Sequence, residues 1–363
     1  RSERFYEKLA TPDVTVSDLI GDVDPIKAAS LKLSYADERV IHFGMIPRAN
    51  RCIFVINELP DLQARIQVSL FSILEEKEIQ IRGFKLRIPL DLQFIFTANP
   101  EDYTNRGSIV TPLKDRIGSQ IITHYPHTLS IAKKITKQES DIIQSSVYIP
   151  ELAHDLIEEI NFAARKSEYV DFKSGVSARM SITAFENLVS TAKRRMLINN
   201  EEKTSIRLSD FTGVIPAING KIELVYEGEE QGADQISFNL INEGVKTIFL
   251  RFFPEISKLE KPNEVTPYDK ILSWFVENGT ELFIGDEFTN KEYQDSLDEI
   301  KPLDELVKKY CKEINNEDIS FIKEILLWGL SSFKKLSKNR MLDGIEFKDS
   351  LGSYLKNLNS DQI

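Results

Sequence analysis

Two short apolar runs organise the first third of the chain. Cys52-Ile53-Phe54-Val55-Ile56-Asn57-Glu58 and Leu92-Gln93-Phe94-Ile95-Phe96-Thr97-Ala98-Asn99-Pro100 are rich in β-branched and aromatic residues, and each ends in polar ones. Such runs predict strands of a parallel sheet buried on both faces. Ligands of open α/β sheets sit beyond the carboxyl ends of the strands, so Asn57, Glu58 and Asn99 are expected to converge on one crevice. Between the runs, Leu62, Ile66, Leu70, Ile73 and Leu74 recur at the spacing of one helix face and predict a helix over 59–77, with Pro60 and Asp61 suited to its first turn. Strict alternation follows, with Ile79 and Ile81 before Arg82-Gly83 and Phe84, Leu86 and Ile88 after it. That pattern predicts a β-hairpin whose glycine makes the turn. Its other face carries Gln80, Arg82, Lys85 and Arg87 and reads as solvated.

From Leu129 onward the pattern turns helical. Helices are predicted over 150–166, 181–197 and 210–218, then an acidic loop over 227–232, then helices over 233–252, 268–278, 302–313 and 318–336. The expected organisation is an α/β core over 1–128, a helical lid over 129–232 and a helical C-terminal domain over 233–363. No internal repeat is visible.

With 363 residues, 41% hydrophobic and 28% charged, the chain has the composition of a soluble globular protein of two or three domains. A formal net charge of −11 disfavours a protein that coats nucleic acid or an acidic membrane, so a protein or small-molecule partner is expected and direct nucleic-acid binding is not. The longest C-terminal apolar run, Ile325 to Leu330, is too short to span a bilayer, and no signal peptide opens the chain. The two cysteines, Cys52 and Cys311, lie far apart and offer neither a disulfide framework nor zinc spacing. A cytoplasmic location is the expectation. The chain opens at Arg1 in a segment that reads as the continuation of earlier sequence.

An apolar strand ending in an acidic residue is the shape of the second nucleotide-binding motif of P-loop ATPases, whose carboxylates hold magnesium and polarise the attacking water. Asn99 adds an amide able to orient that water. Further along stand Lys114-Asp115-Arg116 and Ser177-Ala178-Arg179. Ser177 has the character of an N-cap, which puts Arg179 in a first helical turn, where the helix dipole disfavours a cation. A local rule broken in this way often marks a functional position. An arginine at a subunit edge such as Arg116 can neutralise charge on a transferred phosphoryl group. The four histidines, His42, His124, His127 and His154, lack metallohydrolase spacing, and there is no Gly-x-Ser-x-Gly elbow.

Taken in order, these motifs resemble the AAA+ ATPases of the MoxR and magnesium-chelatase group over roughly residues 10 to 230. The resemblance implies a partial AAA+ parallel-sheet core followed by an all-helical lid and a helical C-terminal domain. It makes Ile56-Asn57-Glu58 the Walker B position, Asn99 sensor 1, Arg116 the arginine finger and Arg179 sensor 2. The hairpin around Gly83 is similar to the family's insertion before sensor 1, and Asp18 to Asp24 with His42 to Pro47 to its insertion within the second helix. Two features depart from the family. Asn57 replaces the magnesium-binding aspartate, so metal held through water would be held more weakly. No Gly-x-x-x-x-Gly-Lys-Ser/Thr occurs in the 363 residues, so the phosphate loop is expected upstream of Arg1.

The resemblance implies ATP and Mg2+ as cofactors, Glu58 and Arg116 in catalysis, Asn99 and Arg179 on the nucleotide, and a homo-oligomeric ring, hexameric in the intact protein. ATP hydrolysis would remodel a protein client or a metal-insertion partner. These 363 residues alone are expected to hydrolyse ATP poorly or not at all. The alternatives are a non-catalytic nucleotide-responsive scaffold, which Asn57 suggests, and an activator of alternative-sigma-factor transcription, whose Gly-Ala-Phe-Thr-Gly-Ala loop is absent.

Overall fold

The computed structural model describes residues 4–81, 84, 87–99, 108–142, 146–172, 174–256, 266–278, 281–312 and 314–350. The chain forms two compact units, Arg1–Thr123 and His124–Ile363. Each has a hydrophobic cluster of its own.

In chain order the first unit carries β1 (Phe5–Leu9), α1 (Val16–Leu19), β2 (Gly21–Val23), α2 (Pro25–Leu31), β3 (Ile41–Phe43), α3 (Met45–Arg48), β4 (Ile53–Asn57), α4 (Ala64–Ser69), α5 (Phe71–Glu76), β5 (Glu78–Gln80), β6 (Arg87–Pro89), β7 (Gln93–Phe96) and α6 (Thr111–Asp115). Strands β1, β4 and β7 pair in parallel in that order, with Phe5 opposite Ile53, Leu9 opposite Asn57 and Val55 opposite Ile95. Because side chains alternate along a strand, Phe54, Ile56, Phe94 and Phe96 share one face with Tyr6. That face is packed into the core, and the Phe54 and Phe94 rings meet edge to face at 5.8 Å.

The opposite face differs from the sequence expectation that these strands are buried on both sides. Phe5, Leu9, Ile53 and Ile95 are 48%, 52%, 41% and 45% exposed on it. A β-branched run therefore identified the strands but not their cover, since the same residues suit a sheet with one or two packed faces.

The predicted helix over 59–77 is also interrupted. A 3-10 turn at Leu59–Asp61 precedes α4, and Leu70 joins α4 to α5. All five apolar positions still face inward or sit at the core edge, so periodicity survives the break. The hairpin forms as expected from β5 and β6, while Arg82, Gly83, Lys85 and Leu86 lie outside the described residues, as does Pro100. Strands β2 and β3 make a second antiparallel pair that carries α2 between them. Gly21 permits it: its φ is +121°, and a Cβ there would lie 2.3 Å from the His42 carbonyl oxygen.

The second unit carries α7 (Leu129–Glu139), β8 (Val147–Tyr148), α8 (Glu151–Ala164), α9 (Arg179–Ile198), β9 (Thr204–Ser205), α10 (Ile215–Asn219), α11 (Tyr226–Gln231), α12 (Ala233–Phe252), α13 (Asp269–Asn278), β10 (Leu282–Gly285), α14 (Asn290–Asp298), α15 (Lys301–Tyr310), α16 (Ile319–Ser332), β11 (Leu336–Arg340) and β12 (Gly344–Asp349). One hydrophobic cluster runs from α8 through α16 to β12. Close approach of its helices rests on Gly244 of α12 against Leu156 and Ile160, and on Gly329 of α16 against the Phe249 ring.

Three features here departed from the sequence reading. The expected acidic loop is helix α11, because Glu227 and Glu229 fall in its first turn, where carboxylates favour the helix dipole. Helix α14 was not predicted, although Thr289 and Glu292 form a full capping box. Strands β10, β12 and β11 form a small antiparallel sheet at the C-terminal side of α16.

The cluster also encloses charge. The Arg195 guanidinium, 2% exposed, makes a two-pronged contact with Asp210 at 2.9 and 3.1 Å. On α16, Glu324 is fully buried and accepts from the Leu208 N–H and the Tyr293 hydroxyl, each at 2.8 Å. Burial raises its carboxyl to about 7.

Candidate functional site

The carboxyl ends of β4 and β7 carry a hydrogen-bonded cluster. Asn57 closes β4, and its amide nitrogen donates to Glu7 of β1 while its Oδ1 accepts from the Thr97 hydroxyl at 3.0 Å. The same Thr97 Oγ1 accepts the Glu58 backbone N–H at 3.2 Å, and the Thr97 carbonyl accepts from Leu59 at 2.9 Å. Glu58 itself adopts φ 54° and ψ 51°, the left-handed region. A residue with a β-carbon pays about 1–2 kcal/mol to sit there. Lys32 and Lys77, also left-handed, cap the ends of helices, whereas Glu58 lies at the exit of a strand. Strain at such a place is a reason to look for function. The turn releases the Glu58 carboxylate, which accepts no hydrogen bond among the described residues and is half-buried.

Asn99 lies two residues beyond Thr97 and is exposed, without a side-chain hydrogen bond among the described residues. Sequence reasoning thus placed Asn57, Glu58 and Asn99 at the same sheet end. It missed Thr97 and Glu7, the two residues that tie Asn57 and Glu58 down. Thr97 was legible as the last hydroxyl of the second apolar run; Glu7 needed β1, whose Phe-x-Glu-x-Leu alternation is short.

Arg116 follows α6 and is held within its own unit. Its guanidinium contacts Glu75 at 2.7 and 2.8 Å, donates to the Pro112 carbonyl at 2.9 Å and lies 5.0 Å above the Phe71 ring centre. In the second unit, Arg179 is the first residue of α9, and its N–H donates to Ser177 Oγ at 3.1 Å. The expectation that Ser177 is the N-cap is not met: Ala178 holds that position without a side-chain cap bond, and Ser177 Oγ makes a local turn bond to the amide two residues on. The Arg179 side chain is exposed and makes no ion pair among the described residues.

The donor set bears on magnesium. Magnesium is held through one or two carboxylates together with the phosphates of a nucleotide, rather than by an all-protein cage. Glu7 sets one carboxylate on the Asn57 amide and Glu58 is the next residue in the chain, while no group of three His, Cys, Asp or Glu side chains able to hold a metal occurs among the described residues. The residues therefore fit a metal brought by a nucleotide and do not make a metal site of their own. No helix among the described residues is long and apolar enough to cross a membrane.

Comparison with known proteins agrees with this geometry for the first unit. Residues 2–117 match the AAA domain of the dynein-related subfamily. No curated protein sequence matches the chain. Among solved structures, similarity extends to an inferred ATPase from Cytophaga hutchinsonii (21% identity, 66% of this chain and 77% of that one, TM-score 0.28). It extends also to NtrX from Brucella abortus (14%, 71% and 54%, 0.40) and to the BchI and BchD subunits of magnesium chelatase (16%, 63% and 73%, 0.30). TM-scores of this size leave the activities of those proteins with them. The match to the AAA domain falls on the first unit, which holds the parallel sheet and the left-handed glutamate at its carboxyl end.

Proposed function

We propose that the intact protein is an AAA+ ATPase of the MoxR and magnesium-chelatase type. In this reading it is a ring-forming, cytoplasmic machine that uses ATP hydrolysis to remodel a protein client or a metal-insertion partner. The observation that carries the reading is Glu58, held in a left-handed turn at the end of β4 by Thr97, with a carboxylate that accepts no hydrogen bond among the described residues. Glu58 is the general base for the attacking water, and Asn99 orients that water. By the resemblance, Arg179 on the lid, taken as residues 129–232, is the residue assigned to the γ-phosphate. Arg116 leaves Glu75 to serve the nucleotide of a neighbouring subunit. Asn57 orients Glu7; together they would hold a magnesium ion carried by the nucleotide, which would supply charge neutralisation when bound.

The test is ATP turnover by the full-length protein and its Glu58→Gln variant. A loss of at least about 100-fold is expected from removing the base; equal rates would take Glu58 out of the mechanism.

A second reading, a nucleotide-responsive scaffold without turnover, is favoured by one observation. Both ends of the Asn57 amide are occupied by Glu7 and Thr97, which leaves the metal a neutral and partly engaged ligand. Tight ATP binding without phosphate release from the full-length protein would select it.

A further inference from the structure

The segment that leads into α9 is fixed from three sides. Tyr125, the second residue of the second unit, lies under the Arg165 guanidinium, 4.0 Å from ring centre to Cζ. Its hydroxyl oxygen accepts the Val176 N–H at 3.0 Å. Gly175 has φ +68°, and a Cβ built there would lie 2.6 Å from that same oxygen, so the hydroxyl and the glycine occupy complementary space. Ser177 Oγ accepts the Arg179 N–H at 3.1 Å. One half-turn further on, buried Ser181 donates to Glu158 at 2.9 Å and accepts from Asn161 at 2.6 Å, while Glu158 also accepts from Thr136 of α7. The backbone on either side of Arg179 is thereby locked to α7, α8 and the start of the unit. Its guanidinium remains exposed.

A rigid base beneath a free cation is the arrangement expected where a side chain must reach a ligand at a set position. We propose that Tyr125 is a positioning residue for Arg179, acting through the Val176 N–H and the glycine-dependent fit at Gly175. The role rests on the reading of Arg179 as the residue that meets the γ-phosphate; the contact itself does not.

The experiment uses Tyr125→Phe, which keeps the ring beneath Arg165 and removes the acceptor. In this chain, amide exchange at Val176 should quicken about tenfold, as expected for one lost hydrogen bond. In the full-length protein the KM for ATP should rise about tenfold with kcat little changed, and the effect should vanish in an Arg179→Ala background, because coupled residues are non-additive. Gly175→Ala, which drives a methyl against the same hydroxyl, should reproduce both results. Unchanged Val176 exchange, or Tyr125→Phe and Arg179→Ala effects that multiply, would overturn the positioning role. Absence of turnover in the unmodified full-length protein would instead remove the ATPase reading, and the role with it, whatever the exchange data show.

Discussion

The two units bury their hydrophobic residues in different ways. The second encloses helix α16 from Phe321 to Leu330, with Trp328, Phe249 and Ile325 fully shielded and the Arg195–Asp210 pair inside. The first packs one face of a three-stranded sheet, and on the other only Val55 is buried while Phe5, Leu9, Ile53 and Ile95 stay largely exposed. Hydrophobic stabilisation scales with the apolar area removed from water, at about 25 cal/mol per Å2. The lesson is that the same residue types stabilise one unit from within and contribute less in the other, where part of their area stays in water.

The contrast is sharpest at Asp210. Replacing it with alanine strands the buried Arg195 and Arg207 N–H, and about 3–5 kcal/mol of second-unit stability should be lost in chemical denaturation. A smaller change would mean that water reaches the pair.

Next comes Glu324. Its folded carboxyl is raised from 4.5 to about 7, chiefly by burial, with Asp210 adding to the rise and Tyr293, Leu208 and Arg207 opposing it. A raised carboxyl contributes stability that is complete below its unfolded pKa and is lost as pH rises through the folded one. Measured between pH 5 and pH 8, the protein should therefore lose roughly 3 kcal/mol relative to its Glu324→Gln variant. Parallel pH curves for the two would show that the carboxyl ionises freely.

In the first unit the expected effects shrink and one changes sign. Glu58→Gly relieves the left-handed strain, so stability should rise by about 1 kcal/mol while any turnover is lost. A destabilised variant would mean that the Glu58 side chain supports the fold. Smallest of all, Ile95→Thr on the bare sheet face should change stability by no more than about 0.5 kcal/mol, against about 2–5 kcal/mol for Leu156→Ala between α8 and α12. A large penalty at Ile95 would show that the face is covered in solution.

Much of the candidate site was legible because strand ends are marked in one dimension. The apolar runs stop at Asn57 and near Asn99, and a parallel neighbour brings such ends together. The tie through Thr97 and Glu7 was not legible, since it depends on which strands are adjacent and in what register. Likewise the partners of Arg116 are not visible in sequence, since its pairing with Glu75 and Phe71 brings together residues some forty positions apart. The left-handed turn at Glu58 carries no local signal, because neither glycine nor asparagine occupies it.

The sequence by itself determined the alternation of strand and helix, the hairpin between β5 and β6, the long helices of the second unit and the positions of Asn57, Glu58, Asn99, Arg116 and Arg179 along them. These follow from periodicity and from residues that stop a run, both local properties. Only the tertiary structure decided which sheet face is packed, that Glu324 and Arg195 lie in a core, and that Tyr125 is joined to the base of Arg179. Burial and long-range hydrogen bonds depend on what lies opposite in space, and a pattern read along one chain does not contain that information.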